Sequence, residues 1–138
     1  MVRAGARGSE RGERRVGFAV VGLGHIAQAA VLPAFAHAKK KAFLAALVSG
    51  DERKREELGE HYGVPTFRYE DYDDCLRLPE VDAVYIALPN AQHAEYAVRA
   101  ARAGAHVLCE KPLATSEADG RRIIGACEDA GVQLMVAY

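Results

Sequence analysis

"AVVGLGHIAQ", residues 19–28, runs small apolar residues into two glycines and then into a segment with helical spacing. A β-branched apolar run from Val16 precedes Gly22, as in a strand that is buried on both faces of a parallel sheet. A second apolar run ends at Ser49 and Gly50. A strand, a glycine turn, a helix and a second strand form the unit in which such a turn indicates dinucleotide binding. A structural turn without a ligand is the alternative.

The residues of this turn have separate expected roles. Gly22 permits the tight turn, and Gly24, which has no side chain, lets a pyrophosphate approach the backbone. Ala27 takes the third small position, where the helix packs closely on the strand. The predicted cofactor-binding residues of the turn are therefore Gly22, Leu23, Gly24, His25 and Ile26.

Strand and helix patterns alternate along the rest of the chain. Buried strands are predicted at residues 16–22, 42–50, 66–67, 81–89, 105–112 and 132–138. Helices are predicted at residues 25–38 with a kink at Pro33, at 51–61, in an acidic stretch that ends at Leu78, at 93–104 and at 116–130. Because parallel strands need crossover connections, this α/β pattern predicts a doubly wound parallel sheet of about six strands, the Rossmann fold.

Composition limits the function classes open to the chain. Half of its 138 residues are hydrophobic, 27% are charged and the formal net charge is −1. Nucleic-acid binding normally needs a basic face, and a membrane span needs about 18 consecutive apolar residues, so we expect neither nucleic acid nor membrane as a partner. The arginine-rich residues 1–15 are typical of a disordered basic tail, which leaves residues 16–138 as the domain.

The number and spacing of the cysteines bear on the cellular compartment of the protein. The chain has three cysteines, Cys75, Cys109 and Cys127, and they show no metal-ligand spacing. Their odd number is typical of reduced thiols, so we expect a cytoplasmic protein without a metal site.

The end of the second strand indicates which cofactor is bound. NAD-binding domains usually place a carboxylate there, which holds the ribose hydroxyls and repels a 2′-phosphate. Here the strand ends in Ser49 and Gly50, and the cations Arg53, Lys54 and Arg55 follow at the start of a helix. A hydroxyl and a group of cations suit a phosphate, so we expect NADP, with NAD as the second choice. A solvated helix face whose charges bind nothing specific is the alternative interpretation.

Further stretches carry a resemblance to a known family. "LPNAQHAEYA" from Leu88, "CEKPLATSEAD" from Cys109 and the closing "LMVAY" resemble the N-terminal half of the Gfo/Idh/MocA oxidoreductases. The resemblance covers residues 16–138, and its most specific element is the tripeptide Glu110-Lys111-Pro112. It implies that Lys111 is a catalytic residue beside the nicotinamide, where its ammonium group stabilises a developing alkoxide. It also implies a cis bond between Lys111 and Pro112. An ordinary surface lysine at a strand end is the alternative.

The same resemblance implies further cofactor contacts. In the family, Leu88, Pro89 and Asn90 would line the ribose and nicotinamide side, and His93 would lie near the same cleft. A surface histidine at a helix start is the alternative for His93. Glu110 belongs with Lys111 to this set, and His25 would touch the pyrophosphate through its backbone.

The resemblance implies a second domain that these 138 residues do not contain. In the family that domain supplies most substrate contacts and the oligomer interface, so a sugar, cyclitol or related polyol and a homo-oligomer are the expected partners. Since hydride transfer needs cofactor and substrate in near-attack geometry, we expect the 138 residues alone to be nearly inert. A non-catalytic nucleotide-binding module, such as a redox-sensing partner subunit, is the alternative function.

Overall fold

A six-stranded parallel sheet forms the centre of the molecule, whose computed structural model describes residues 14–137. The strands are β1 (Val16–Val21), β2 (Ala42–Val48), β3 (Thr66–Phe67), β4 (Ala83–Ile86), β5 (His106–Glu110) and β6 (Leu134–Ala137). Their order is β3-β2-β1-β4-β5-β6, and every neighbouring pair is parallel. This confirms the predicted doubly wound Rossmann sheet. Because the strand order reverses at β1, a crevice opens between the carboxyl ends of β1 and β4, where such folds bind ligands.

Helices cover both faces of the sheet. After β1 the chain forms a π-helix (Ala27–Val31), α1 (Leu32–Ala34) and a 3-10 helix (Phe35–His37); the later α-helices are α2 (Glu52–Tyr62), α3 (Tyr72–Leu76), α4 (His93–Arg102) and α5 (Glu117–Ala130). Short 3-10 helices at Tyr69–Asp71 and Asn90–Gln92 precede α3 and α4. The segment 27–37 and α2 pack on one face, while α3, α4 and α5 pack on the other.

The two faces have separate cores because successive strand residues point to opposite sides. Val20 and Leu47 pack with Leu32 on the first face. Ala19 and Val21 pack on the second face in a larger cluster that includes the buried side chains of α3, α4 and α5. Because both faces of the sheet are covered, successive residues of a strand are buried on opposite sides, and the strands are continuous apolar runs in the sequence.

The first helical segment departs from the prediction. The sequence predicts a helix over residues 25–38 with a kink at Pro33, but its middle is a π-helix in which the Leu32 N–H donates to the Ala27 carbonyl. The widened turn directly precedes Pro33, which has no N–H to donate and whose ring crowds the carbonyl four residues earlier. The wider turn before the proline gives that ring room, and periodicity alone does not reveal it.

The described chain begins with two anchored arginines. Arg14 donates to the Asp82 carboxylate at 3.0 Å, and the same carboxylate accepts the Gly17 N–H at 2.9 Å. The Arg15 guanidinium donates to the Lys39 carbonyl and lies 4.8 Å from the centre of the Phe43 ring. The predicted tail spans residues 1–15, and residues 1–13 of it lie outside the described residues. Within residues 14–137, no helix is both long and apolar enough to cross a membrane.

Candidate functional site

The glycine turn lies directly after β1, at the edge where all the strands end. Gly22 has φ +99°, and its N–H donates to the Val48 carbonyl of β2 at 2.8 Å. A Cβ on Gly22 would lie 2.6 Å from the Ala87 carbonyl oxygen, so both backbone conformation and space require glycine there. Gly22 therefore closes the turn against the end of β4.

Gly24 is a glycine for a different reason. A Cβ built on it would meet no described protein atom within 4 Å, so internal packing does not exclude a side chain. Gly24 is exposed on the outer side of the turn, together with His25 and Ile26. Leu23, in contrast, is buried and packs in the core of the first face, so only its backbone faces the turn. The turn thus presents bare backbone at Gly24, as a close-approaching phosphate requires.

The end of β2 is an ordered polar corner. Ser49 is 4% exposed, and its hydroxyl oxygen accepts the Asp51 N–H at 3.1 Å. Asp51 caps α2, because its Oδ1 accepts the Lys54 N–H at 3.1 Å. The carboxylate nearest the strand end is therefore bound to the first turn of its own helix. Gly50 is exposed between the two, with the Tyr69 ring 3.2 Å from where its Cβ would stand.

The cations of this corner have different partners. Arg53 is fully on the outside, with 86% of its side chain exposed, and pairs with Glu57 one turn later at 3.0 Å. Lys54 is half-buried at the start of α2. Arg55, the third of the predicted cations, donates through its guanidinium to the Ser49 carbonyl at 2.8 Å. Because Arg55 lies three residues before the inward-packed Leu58, helical periodicity could have placed it on the sheet side of α2.

The end of β4 forms the wall beside the glycine turn. Leu88 is buried, and one of its methyl carbons lies 3.2 Å from where a Gly22 Cβ would stand. Pro89 and Asn90 follow it and are exposed. The Ala87 N–H donates to the Val21 carbonyl at 2.8 Å, which ties this loop to the end of β1. The predicted residues of the two loops are thus neighbours in the structure.

The end of β5 carries the predicted catalytic residue. Lys111 is exposed, and the Lys111–Pro112 bond is cis, as the resemblance implied. The carboxylate of Glu110 accepts a hydrogen bond from the Tyr85 hydroxyl of β4. Burial, and then this bond to Glu110, raise the pKa of Tyr85, which keeps the phenol protonated at neutral pH. Tyr85 was not predicted, because its contact with Glu110 depends on the register of β4 and β5 and no sequence pattern reports it.

Lys111 lines an apolar cavity on the first face of the sheet. The cavity has a volume of about 520 Å³, and its lining includes Phe18, Ile26, Phe35, Tyr85, Glu110 and Lys111. The structure therefore brings Ile26 of the turn and Lys111 of the β5 loop to one surface.

His93, the first residue of α4, is 0% exposed. Its Nε2 lies 2.8 Å from the Leu88 carbonyl oxygen and its Nδ1 lies 2.8 Å from the Pro112 carbonyl oxygen. Its side chain thus lies beneath the two loops rather than on their surface.

Cys75, Cys109 and Cys127 are buried, and no disulfide joins any two of them. Burial, together with the Glu110 charge, raises the pKa of Cys109 to about 12, and burial raises the pKa of Cys127. Both thiols therefore stay protonated and poorly nucleophilic at neutral pH. Among residues 14–137, no group of three or more His, Cys, Asp or Glu side chains could hold a metal ion.

Comparison with known proteins agrees with this geometry. Residues 16–138 match the sequence profile described as "Oxidoreductase family, NAD-binding Rossmann fold". A D-xylose 1-dehydrogenase (NADP(+)) of Haloferax volcanii is 40% identical over 121 residues, which cover 88% of this chain and 36% of that enzyme. The chain therefore spans about a third of the length of this relative.

Solved structures give the same picture. An aldose-aldose oxidoreductase from Caulobacter crescentus, complexed with glycerol, superposes with a TM-score of 0.87 at 44% sequence identity. The match covers 91% of this chain and 38% of the oxidoreductase chain. The WlbA dehydrogenase from Bordetella pertussis, in complex with NADH and UDP-GlcNAcA, superposes with a TM-score of 0.83 at 32% sequence identity. That match covers 90% of this chain and 37% of the WlbA chain.

Proposed function

Since the chain belongs to the Gfo/Idh/MocA oxidoreductase family, we propose that it is the cofactor-binding half of an NADP-dependent oxidoreductase. The complete enzyme transfers a hydride between the nicotinamide and a sugar, cyclitol or related polyol. The observation that carries the proposal is the shared edge of the sheet: the Gly22–Gly24 turn after β1 and Lys111 after β5 lie at the carboxyl ends of the strands. Ligands of doubly wound folds bind at this edge.

The residues of this edge fit a 2′-phosphorylated dinucleotide. Gly24 leaves its backbone open on the outer side of the turn, which suits the pyrophosphate. The Ser49 corner offers Lys54 and Arg55 as cations, while the Oδ1 of Asp51 is bound to the backbone of α2. A phosphate gains from these cations, whereas a ribose diol finds no carboxylate at the strand end itself. We therefore propose NADP as the preferred cofactor and NAD as the weaker one.

Lys111 is the proposed catalytic residue. When bound, the nicotinamide supplies or accepts the hydride. Lys111 holds the substrate oxygen and stabilises the negative charge that develops on it, because an ammonium group beside an apolar cavity interacts with an alkoxide more strongly than it does in bulk water. One oxygen of the neighbouring Glu110 carboxylate accepts a hydrogen bond from the Tyr85 hydroxyl.

The substrate class is proposed from similarity. The relatives named above include a D-xylose dehydrogenase and an aldose-aldose oxidoreductase, which support an aldose or a related polyol. The stretches at residues 47–50, 82–90 and 109–112 also resemble glucose-fructose oxidoreductase, which supports the same class. We further propose a cytoplasmic protein, supported by the three buried cysteines, which form no disulfide among the described residues, and a homo-oligomer of the complete enzyme.

Calorimetric titration of the purified chain with NADPH tests the cofactor proposal. We expect one site per chain and a heat of binding that disappears when Gly24 is replaced by a bulky residue such as valine. Absence of NADPH and NADH binding to a folded chain would contradict the proposal. Assaying the complete protein with aldoses then separates an oxidoreductase from a non-catalytic nucleotide-binding module, which would bind the cofactor without turnover.

A further inference from the structure

The His93 ring connects two loops that leave neighbouring strands. Leu88 follows β4 and Pro112 follows β5, and the carbonyl oxygen of each lies 2.8 Å from a different nitrogen of the His93 ring. The ring is wholly buried; its contact with the Leu88 carbonyl is buried, and its contact with the Pro112 carbonyl is partly buried. A single side chain therefore sets the spacing between the two loops.

Hydrogen-bond chemistry makes this connection demanding. A carbonyl oxygen only accepts, so the ring has to donate to hold it. The doubly protonated ring donates to both oxygens, and a neutral ring donates to one of them. Because water does not readily replace a donor lost at the buried Leu88 contact, replacement of His93 would weaken the connection between the two loops.

Lys111 lies between two anchored neighbours. On one side, the Glu110 carboxylate accepts a hydrogen bond from the Tyr85 hydroxyl. On the other side, the Pro112 carbonyl is held by His93. The Glu110 backbone is paired with Ala137 of β6, so the exposed Lys111 side chain starts from a segment that is anchored on both sides.

We propose that His93 is a positioning residue, which holds the loops at Leu88 and Pro112 at a fixed spacing and so places Lys111 and the nicotinamide side of the cofactor site. This inference rests on the proposed function, since it assigns the two loops to the nicotinamide end. His93 acts through the two carbonyls and not by touching the cofactor, because its ring has no exposed surface.

Two ligands separate a positioning role from a purely structural one. NADPH reaches both ends of the site, whereas adenosine 2′,5′-bisphosphate lacks the nicotinamide half. In calorimetry on the chain, His93→Gln, whose amide donates from one nitrogen only, is expected to bind NADPH about tenfold more weakly and the bisphosphate within about twofold of wild type. His37→Gln is the matched control, since His37 is an exposed histidine of the 3-10 helix 35–37, and it should change neither affinity.

A second measurement needs no variant and decides the question if His93→Gln does not fold. The ring ¹⁵N resonances of His93 in the wild-type chain should shift on adding NADPH and stay unchanged on adding adenosine 2′,5′-bisphosphate. The inference would be overturned if His93→Gln weakened the binding of both ligands equally, or weakened neither. It would also be overturned if the ring resonances did not shift on adding NADPH. The proposed function would stand in each of these cases. A folded wild-type chain that binds neither ligand would overturn both together.

Discussion

The Arg55 guanidinium donates to the Ser49 carbonyl oxygen at 2.8 Å, which places a cation against the end of β2. Ser49 occupies the place where NAD-binding domains usually carry a carboxylate. The contact also uses only one of the guanidinium donors, and the planar group has further N–H groups that suit a phosphate. We therefore expect the corner formed by Arg55 and Ser49 to favour a 2′-phosphate.

The first prediction concerns cofactor preference. We expect the chain to bind NADPH about ten- to a hundredfold more tightly than NADH, because a charge-assisted contact with the 2′-phosphate is worth about 1.5–3 kcal/mol. Ser49→Asp should reverse the preference, since its carboxylate repels the phosphate and accepts from the ribose hydroxyls. Calorimetric titration with both cofactors is the measurement, and equal affinities in the wild-type chain would contradict the prediction.

Arg55→Ala gives a separate prediction at the same corner. It should weaken NADPH binding about tenfold and leave NADH binding nearly unchanged, because only the phosphorylated cofactor loses a cationic partner. Arg121→Ala is the matched control, since Arg121 is an exposed arginine of α5 paired with Glu117. An equal loss of affinity for NADPH and NADH would show that Arg55 only holds the Ser49 backbone in place.

The two turn glycines allow stability and binding to be separated. Gly22→Ala should destabilise the chain by about 2–4 kcal/mol, because alanine is strained at φ +99° and its Cβ would overlap the Ala87 carbonyl. Gly24→Ala should stay within about 0.5 kcal/mol of wild type, since its Cβ meets no described atom, yet it should weaken NADPH binding. Chemical denaturation and calorimetry on both variants test the pair. If Gly24→Ala bound NADPH like wild type, the pyrophosphate would lie elsewhere.

Most of the fold could be predicted from the sequence, because the pattern within each segment and the order of the segments along the chain indicate the same architecture. Continuous β-branched runs that alternate with helices predict a parallel sheet, and all the predicted strands are present; every strand except β3 is shorter than predicted, β4 most of all. The π-helix before Pro33 was not predicted, because periodicity tells where a helix faces and not how its hydrogen bonds shift around a proline.

The site was predicted less completely than the fold. The turn at Gly22 and the strand end at Ser49 have local signatures, so the sequence alone identifies them. Tyr85 bonds Glu110 and His93 bonds Pro112 across 25 and 19 residues, and both contacts depend on strand register and loop packing. No short pattern encodes such distant pairs. Whether the predicted side chains bind the cofactor is decided by the titrations above.

The isolated chain should fold and bind cofactor but turn over no sugar at a measurable rate. Its sheet has helices on both faces, yet β6 leaves Met135 66% exposed and the apolar cavity beside Lys111 is open. Exposed apolar surface of this kind favours association, so we expect dimers or larger species in light scattering. A monodisperse monomer with robust dehydrogenase activity would contradict both parts of this prediction.

Lys111 provides the sharpest test of the chemistry, made in the complete protein. If its ammonium group stabilises charge that forms only during hydride transfer, Lys111→Ala should lower kcat about 100- to 1000-fold, or about 3–4 kcal/mol, and weaken NADPH binding far less. Lys111→Arg should rescue only part of the rate, because a planar guanidinium does not fit the place of a compact ammonium. Steady-state kinetics beside cofactor titration measures both quantities on wild type and the two variants. Turnover that stays within a few-fold in the alanine variant, or that falls in step with cofactor binding, would make Lys111 a binding or scaffold residue instead of a catalytic one.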